Sequence, residues 1–224
     1  SEDWEWIIVD SYTEEFYNKI PKELLCNKKI KIYQLKSSIY DAMNFAILKT
    51  TTNYFHFLNC RSTYTSKESI KEIYSLLNQI TNKKKCIHSF AMVIKINTRN
   101  DYLQIPSRKL YPFRSGHEST IFPSRKNNII LIRSHKGIVA DMIFMFEYSF
   151  YYTLKTHKIK FINYPKGGYS DCSFHQNDKL KGYFYILIIS LLRVNMPVLI
   201  ISLYIIISEI RLKIIIYFER LNYG

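Results

Sequence analysis

SSIYDAMNFAILKTTTNYFHFLNCRSTYTS, Ser37–Ser66, is the stretch from which the rest of the chain is read. It predicts a short helix over Ile39–Leu48, with Tyr40, Met43 and Ile47 on one face at i, i+3, i+7 spacing. A connector, an apolar strand over Tyr54–Leu58 and a polar loop follow. In a parallel α/β sheet, a loop at the carboxyl end of a strand is where ligands bind.

Upstream, Trp6–Val9 (WIIV) is a continuous apolar run ending on Asp10, the pattern of a strand buried on both faces. SYTEEFYNKI follows with its acids in what would be a first helical turn, favourable against the helix dipole. Ile30–Leu35 (IKIYQL) reads as a second strand. Downstream, Ser66–Ile80 reads as a helix, with Thr65 and Glu68 as a capping box and Ile70, Ile73, Tyr74, Leu77 and Ile80 as its apolar stripe. This alternation of strand and helix predicts a mostly parallel sheet, flanked by helices and joined by right-handed crossovers.

Beyond Lys85, Ala91–Ile96 and Ile129–Arg133 read as strands. Asn97–Asn128 between them is polar and basic, with Pro106, Pro112 and Pro123, and reads as a functional loop. Ile138–Leu154 reads as a helix, although its aromatics also allow strand; Ile159–Asn163 reads as a short strand and Lys166–Ser170 as a turn. From Tyr183, YFYILIISLL and VLIISLYIII are separated by Arg193, Asn195 and Pro197. Each run is about half of the roughly 20 residues that a membrane-spanning helix needs. Joined, they would carry Arg193 near the middle at a cost on the order of 2.5–3.5 kcal/mol. The reading favours an element lying at a membrane interface; a pair of buried core helices is the alternative. The expected division is a domain over 1–181 and an apolar helical extension over 182–224.

With 47% apolar and 16% aromatic residues among 224, the chain can bury a sizeable core. The net charge is +14, and between Ile105 and Gly168 eleven Lys or Arg face three Asp or Glu. Such a field draws phosphate, in nucleic acid, nucleotide diphosphate or anionic lipid, and a solvated basic face reads the same way. No helix-turn-helix, OB or RRM signature is legible, so nucleic acid is not an expected partner. Cys26, Cys60, Cys86 and Cys172 are scattered without a CxxC pair, which argues against a zinc site or disulfide framework and suits a reducing cytosol. The opening SEDWEW lacks a leader pattern.

Three places carry candidate chemistry. Asp10, at a strand's carboxyl end, can accept hydrogen bonds from a nucleotide; an Asp capping the next helix looks the same. Asp141, in KGIVADMIF, is a carboxylate among apolar neighbours, where burial would raise its pKa and suit it to general-base work; it reads equally as an N-cap. His117 and Glu118, in RSGHESTIF beside Arg114, could meet a phosphate or be plain surface residues. No P-loop, GxGxxG, HExxH or GxSxG string occurs.

In order, WEWIIVD, IYDAMN, FLN, HESTIF, KGIVAD and GGYSD resemble the family-2 glycosyltransferases of GT-A fold, in particular those of bacterial surface polysaccharides such as colanic acid. The resemblance runs from about Trp4 to Asp171. It implies inverting transfer of a sugar from a nucleotide-diphospho-sugar to a hydroxyl on a glycan or lipid-linked glycan, in the cytoplasm or at the inner face of the membrane. By the same resemblance, Asp141 is the base, Asp10, Asp41 and Asn59 lie at the nucleotide, His117 faces the active site, and Gly167-Gly168 match a late turn. The family's opening strand, with a TPTYN-like segment, has no counterpart, so the sheet is expected to lack its first strand. SYTEEFY replaces a GGSTDGT-like turn, with Glu15 at a usual Asp, and Phe45-Ala46 replaces KG. Mg²⁺ or Mn²⁺ is expected from the family. The loop that should hold it reads Cys60-Arg61-Ser62 in place of SGD or an Asp-x-Asp variant, leaving Arg61 to offset diphosphate charge.

Overall fold

Among the described residues the chain builds two sheets, one of two strands and one of six. This computed structural model describes residues 4–11, 18, 20–80, 85–96, 101–108, 116–124, 129–133, 139–165 and 176–192, together with 200, 202–203, 206–207 and 210. The elements are β1 (Trp6–Asp10), α1 (Lys22–Leu25), β2 (Ile30–Gln34), α2 (Ile39–Lys49), β3 (Tyr54–Phe55), β4 (Thr63–Tyr64), α3 (Ser69–Ile80), β5 (Cys86–Lys95) and β6 (Asp101–Gln104). A 3-10 turn (His117–Ser119), β7 (Thr120–Pro123), α4 (Ala140–Ser149), β8 (Thr153–Pro165) and α5 (Gln176–Leu192) follow.

β1 and β2 pair in parallel from Trp6↔Ile30 to Asp10↔Gln34. The larger sheet runs β3-β7-β5-β8-β4, with β6 also on β5. Its longest ladder, β5 with β8, is parallel, and the short pairings around it are antiparallel. The two longest ladders of the molecule are thus parallel and helices flank them: an α/β fold with a curled, mostly parallel sheet. Glu5 ties the two sheets' surroundings together, accepting from Lys31 Nζ at 2.6 Å and from the Thr51 N–H at 2.5 Å.

The central strand, β5, is buried along nearly its whole length. On one side Ile87 and Phe122 meet Phe57, Phe144 and Tyr148, with Met43 and Ile47 of α2 closing the cluster. Ring centroids there are 4.8–5.2 Å apart for Phe144–Tyr148, Phe122–Phe144 and Phe122–Tyr148. Tilted and edge-to-face pairs of this kind add about 0.5–1.5 kcal/mol each beyond burial. A second cluster holds Ile73, Phe90, Ile121, Phe161 and Ile162.

Several expectations change. β1 is half-exposed and Trp6 is 46% exposed, because its sheet has only two strands. The third strand stops at Phe55, where its ladder with β7 ends at Phe122, so Phe57 and Leu58 pack without pairing. α3 begins at Ser69, not Ser66. Its entry is held by Ser66 and Ser69 (Ser66 N–H to Ser69 Oγ, 3.0 Å), while Thr65 donates to the Lys160 carbonyl at 2.8 Å, so the Thr65–Glu68 box does not form. The buried face of α3 is Ile73 with Leu76 and Leu77, and Ile70 is 46% exposed.

Residues 129–133 form no strand, because the side chain of Asn44 takes over the hydrogen bonds of Ile132. The supposed loop over 97–128 contains β6, the 3-10 turn and β7, while β5 and β8 outrun their apolar cores at Ala91–Ile96 and Ile159–Asn163. The expected helix over 11–20 and the 166–170 turn fall largely or wholly outside the described residues, as do Glu15, Arg114, Cys172 and Arg193. Among the described residues, no disulfide joins Cys26, Cys60 and Cys86, and no helix is long and apolar enough to cross a membrane. α5 packs on α4 through Ile186 against Val139, Ile143 and Phe146, so the apolar extension begins as core.

Candidate active site

The chain leaves β3 under tight control. Burial pulls His56 down to about 4, so its ring is neutral. Nδ1–H then donates to the Phe57 carbonyl (3.2 Å) and Nε2 accepts from the Tyr64 hydroxyl (2.8 Å). Tyr64, itself pushed up to about 12 by burial, belongs to β4, which pairs with Asn163 and Ile162 of β8. Between these anchors Asn59–Ser62 forms a turn closed by the Ser62 N–H on the Asn59 carbonyl (2.9 Å), with Cys60 and Arg61 at its exposed corner.

Ser62 points inward, and its hydroxyl donates to Glu118 Oε2. Glu118 sits in the 3-10 turn leading into β7 and is 1% exposed. That turn starts at Gly116, whose carbonyl accepts from the Ser119 N–H (3.1 Å) and Thr120 Oγ1 (2.9 Å). A Cβ on Gly116 would meet Met92 Cε of β5 at 3.1 Å, so glycine lets the turn press against the central strand.

Beside Glu118, His117 Nδ1 lies 2.7 Å from Asp141 Oδ2. Its Nε2 is 3.5 Å from the Asn59 amide nitrogen and 4.0 Å from Glu118 Oε1. Phe57 lies edge-on to the ring, with centroids 6.2 Å apart. Asp141 stands in the first turn of α4, where the helix dipole favours a carboxylate, and its Oδ1 accepts from the Met142 N–H at 2.8 Å. Val139 holds the N-cap position, so Asp141 is not the cap. Its side chain is 24% exposed rather than embedded.

Burial pulls the His117 imidazole down, but the hydrogen bond to Asp141 and the charges of Asp141 and Glu118 outweigh it and raise its pKa. Burial raises Glu118 as well, against the opposing pull of His117, Ser62 and the nearby Asn59 amide. The cluster is therefore a histidine whose protonated form is favoured, set between two carboxyl groups, one reachable from solvent and one sealed. Each oxygen of Asp141 already accepts one hydrogen bond, and a partly exposed carboxylate so held keeps lone pairs that can take a proton from a bound hydroxyl.

Of the sequence-predicted residues, the fold brings together Asn59, His117 and Asp141, with Arg61 at the rim of the same turn. Asp10, at the end of β1, receives Gln34 Nε2 at 3.3 Å. Asp41 closes a reciprocal cap at the start of α2, accepting from Ser38 Oγ at 2.6 Å while its N–H donates back at 3.2 Å. The inward turn of Ser62 and the burial of Glu118 carry no sequence signal beyond an acid set three residues before the apolar pair Ile121-Phe122. A cavity of about 230 Å³ opens at the opposite end of β3, beside Thr51, Asn53, Lys85 and Tyr148.

Among the described residues, no group of three or more His, Cys, Asp and Glu could hold a metal ion. Glu118 is the carboxylate at the turn, with one oxygen taken by Ser62 and the other facing His117. At a diphosphate Mg²⁺ takes one or two protein carboxylates besides water and phosphate oxygens; Cys60-Arg61-Ser62 offers none, and Glu118 is sealed behind Ser62, so these residues do not fit Mg²⁺ or Mn²⁺.

No protein-family model matches the chain, and no curated protein matches it by sequence. In fold it is similar to TarS of S. aureus. A crystal structure of TarS 1–349 superposes with a TM-score of 0.60 at 13% identity, covering 82% of this chain and 55% of that one. A longer TarS structure gives 0.59 at 13% identity, covering 82% and 34%. The chain thus spans about half the length of the shorter TarS structure. The likeness shows a shared GT-A-like α/β fold.

Proposed function

We propose that the chain is an inverting glycosyltransferase, moving a sugar from a nucleotide-diphospho-sugar to a hydroxyl of a glycan or lipid-linked glycan, as in surface-polysaccharide synthesis by family-2 enzymes. The observation that carries the reading is the 2.7 Å pairing of His117 and Asp141 beside the turn at the end of β3, on a GT-A-like fold. Asp141 takes the proton of the acceptor hydroxyl. The freed oxygen attacks the anomeric carbon, the bond to the diphosphate oxygen breaks, and the nucleoside diphosphate leaves with its electron pair. His117 holds Asp141 in place before transfer. Arg61, at the exposed corner of the turn, pairs with the diphosphate. Asn59, Asp10 and Asp41 contribute to the donor side.

An acceptor carried on lipid places the protein at the inner face of a membrane. Phe184, Ile188 and Leu191, at i, i+4, i+7 on α5, are 42%, 54% and 57% exposed and support an interfacial seat.

A second reading is a catalytically inactive protein that keeps the fold for membrane association or partner binding. The commitment of Ser62 to Glu118, in a turn whose donors do not fit a divalent cation, favours it. Calorimetry with UDP, first in chelator and then with Mn²⁺, tests the donor site. Binding in chelator that Mn²⁺ leaves unchanged supports it, and no heat in either condition contradicts it. Binding without turnover leaves the second reading standing.

A further inference from the structure

We propose that Glu118 is the positioning residue of this site: through Ser62 it ties the turn after β3 to the base, and through His117 it fixes the proton and orientation of the imidazole that binds Asp141. This rests on the reading of Asp141 as the base, but its geometry stands independently. Glu118 is 1% exposed, and Oε2 accepts from Ser62. Oε1 is buried, makes no hydrogen bond among the described residues, and lies 4.0 Å from His117 Nε2. A sealed carboxylate is costly unless a positive charge lies beside it. His117 supplies that charge, since Asp141 already holds its Nδ1 at 2.7 Å. The charges that act on His117 are those two carboxylates, Asp141 from α4 and Glu118 from its own turn. Both raise the affinity of the ring for its second proton. Without the Glu118 charge, Nε2 gives up its proton sooner and accepts from the Asn59 amide, 3.5 Å away.

The same buried charge explains the turn. Cys60-Arg61-Ser62 carries no acid of its own, and Ser62 is drawn inward by an acceptor from another element. Movement at Asn59–Ser62, where a donor would bind, is thereby coupled to His117 and to the base.

The test is long-range ¹H–¹⁵N NMR of the histidine rings in the full chain without substrate, titrated for wild type, Glu118→Gln and Ser62→Ala, with His117→Gln assigning the resonance. In wild type, His117 is expected to titrate above the ordinary histidine value. In Glu118→Gln its titration should fall by about one pH unit, tenfold in proton affinity, to a neutral ring protonated on Nδ1. Ser62→Ala, which keeps the Glu118 charge, should leave His117 protonated but shift the backbone resonances of Asn59–Ser62. An unchanged His117 titration in a folded Glu118→Gln protein overturns the proposal. If Glu118→Gln does not fold, a wild-type His117 that titrates at or below the ordinary histidine value overturns it instead. No substrate enters the experiment, so failure of sugar transfer would sink the proposed function and leave this link intact.

Discussion

The side-chain amide of Asn44 bonds the backbone of Ile132 as a neighbouring strand would, with Nδ2 to the carbonyl and the Ile132 N–H to Oδ1, both at 2.7 Å. The last residue of IYDAMN thus pins residues 129–133 to α2 across 88 positions. Asn44→Ala strands both polar groups of a residue only 2% exposed, and should cost about 2–3 kcal/mol in urea unfolding. Asn44→Asp keeps the acceptor but sets a carboxylate against the Ile132 carbonyl, and should cost at least as much.

Gly182 is fixed by packing. A Cβ there would fall inside the Val139 side chain, where α5 crosses the start of α4. Gly182→Ala gains about 1 kcal/mol of helix propensity but overpacks the crossing by about 1–3 kcal/mol. Thermal unfolding should show a net loss for Gly182→Ala. Combined with Val139→Ala, the loss should be smaller than the sum of the single changes.

His88 gives the fold a sensitivity to acid. It is fully buried, its ring stacks on His157 at 5.2 Å, and its Nδ1 lies 3.0 Å from His157 Nε2. Burial first, then the charges of His157 and Lys155, pull it down to about 4 from an ordinary 6.5. The unfolded chain therefore binds this proton first as pH falls. Stability is lost between about pH 6.5 and 4, at about 1.4 kcal/mol per pH unit and about 3 kcal/mol in all. His88→Gln should flatten the stability–pH curve across that window by about one proton's worth.

His117 works in the opposite direction. Its folded pKa is raised, so its contribution is full below the unfolded value and fades as pH rises through the folded one. Stability measured from pH 6 upward should decline in wild type, and His117→Gln should remove that decline.

The parts of the fold legible in sequence are those in which one periodicity and one partner agree. WIIVD and IKIYQ pair in parallel as runs of that kind should, and the Tyr40, Met43, Ile47 face of α2 packs inward as its spacing predicts. Where a choice of partner decides, sequence falls short. YFHFL has the composition of a full strand, but only Tyr54 and Phe55 find a ladder. Ile70 and Leu77 share a helical stripe, yet Phe90 and Phe161 lie on the side of Leu76 and Leu77, and Ile70 stays in water. β5 was hidden by His88 and Ser89, polar residues in its most buried stretch. His88 is tolerated there because β8 bulges opposite Phe90 and stacks His157 on both His88 and Phe90. In the site, the types of His117 and Asp141 were legible. Their bond, and the burial of Glu118, depend on three separate segments meeting.

The interfacial seat of α5 can be tested directly. If Phe184, Ile188 and Leu191 enter a bilayer surface, the full chain should sediment with vesicles containing anionic lipid. Ile188→Asp should cut the bound fraction several-fold without changing the melting temperature. Equal sedimentation of the two proteins would exclude this face.

The most direct measurement of the central claim is release of nucleoside diphosphate from a panel of nucleotide-diphospho-sugars, by wild type and by Asp141→Asn, with water or a simple glycan as acceptor. The account predicts release from at least one donor, reduced about 10²–10⁴-fold by Asp141→Asn while nucleotide affinity stays within a few-fold. Release from no donor, or release that survives Asp141→Asn, would contradict it.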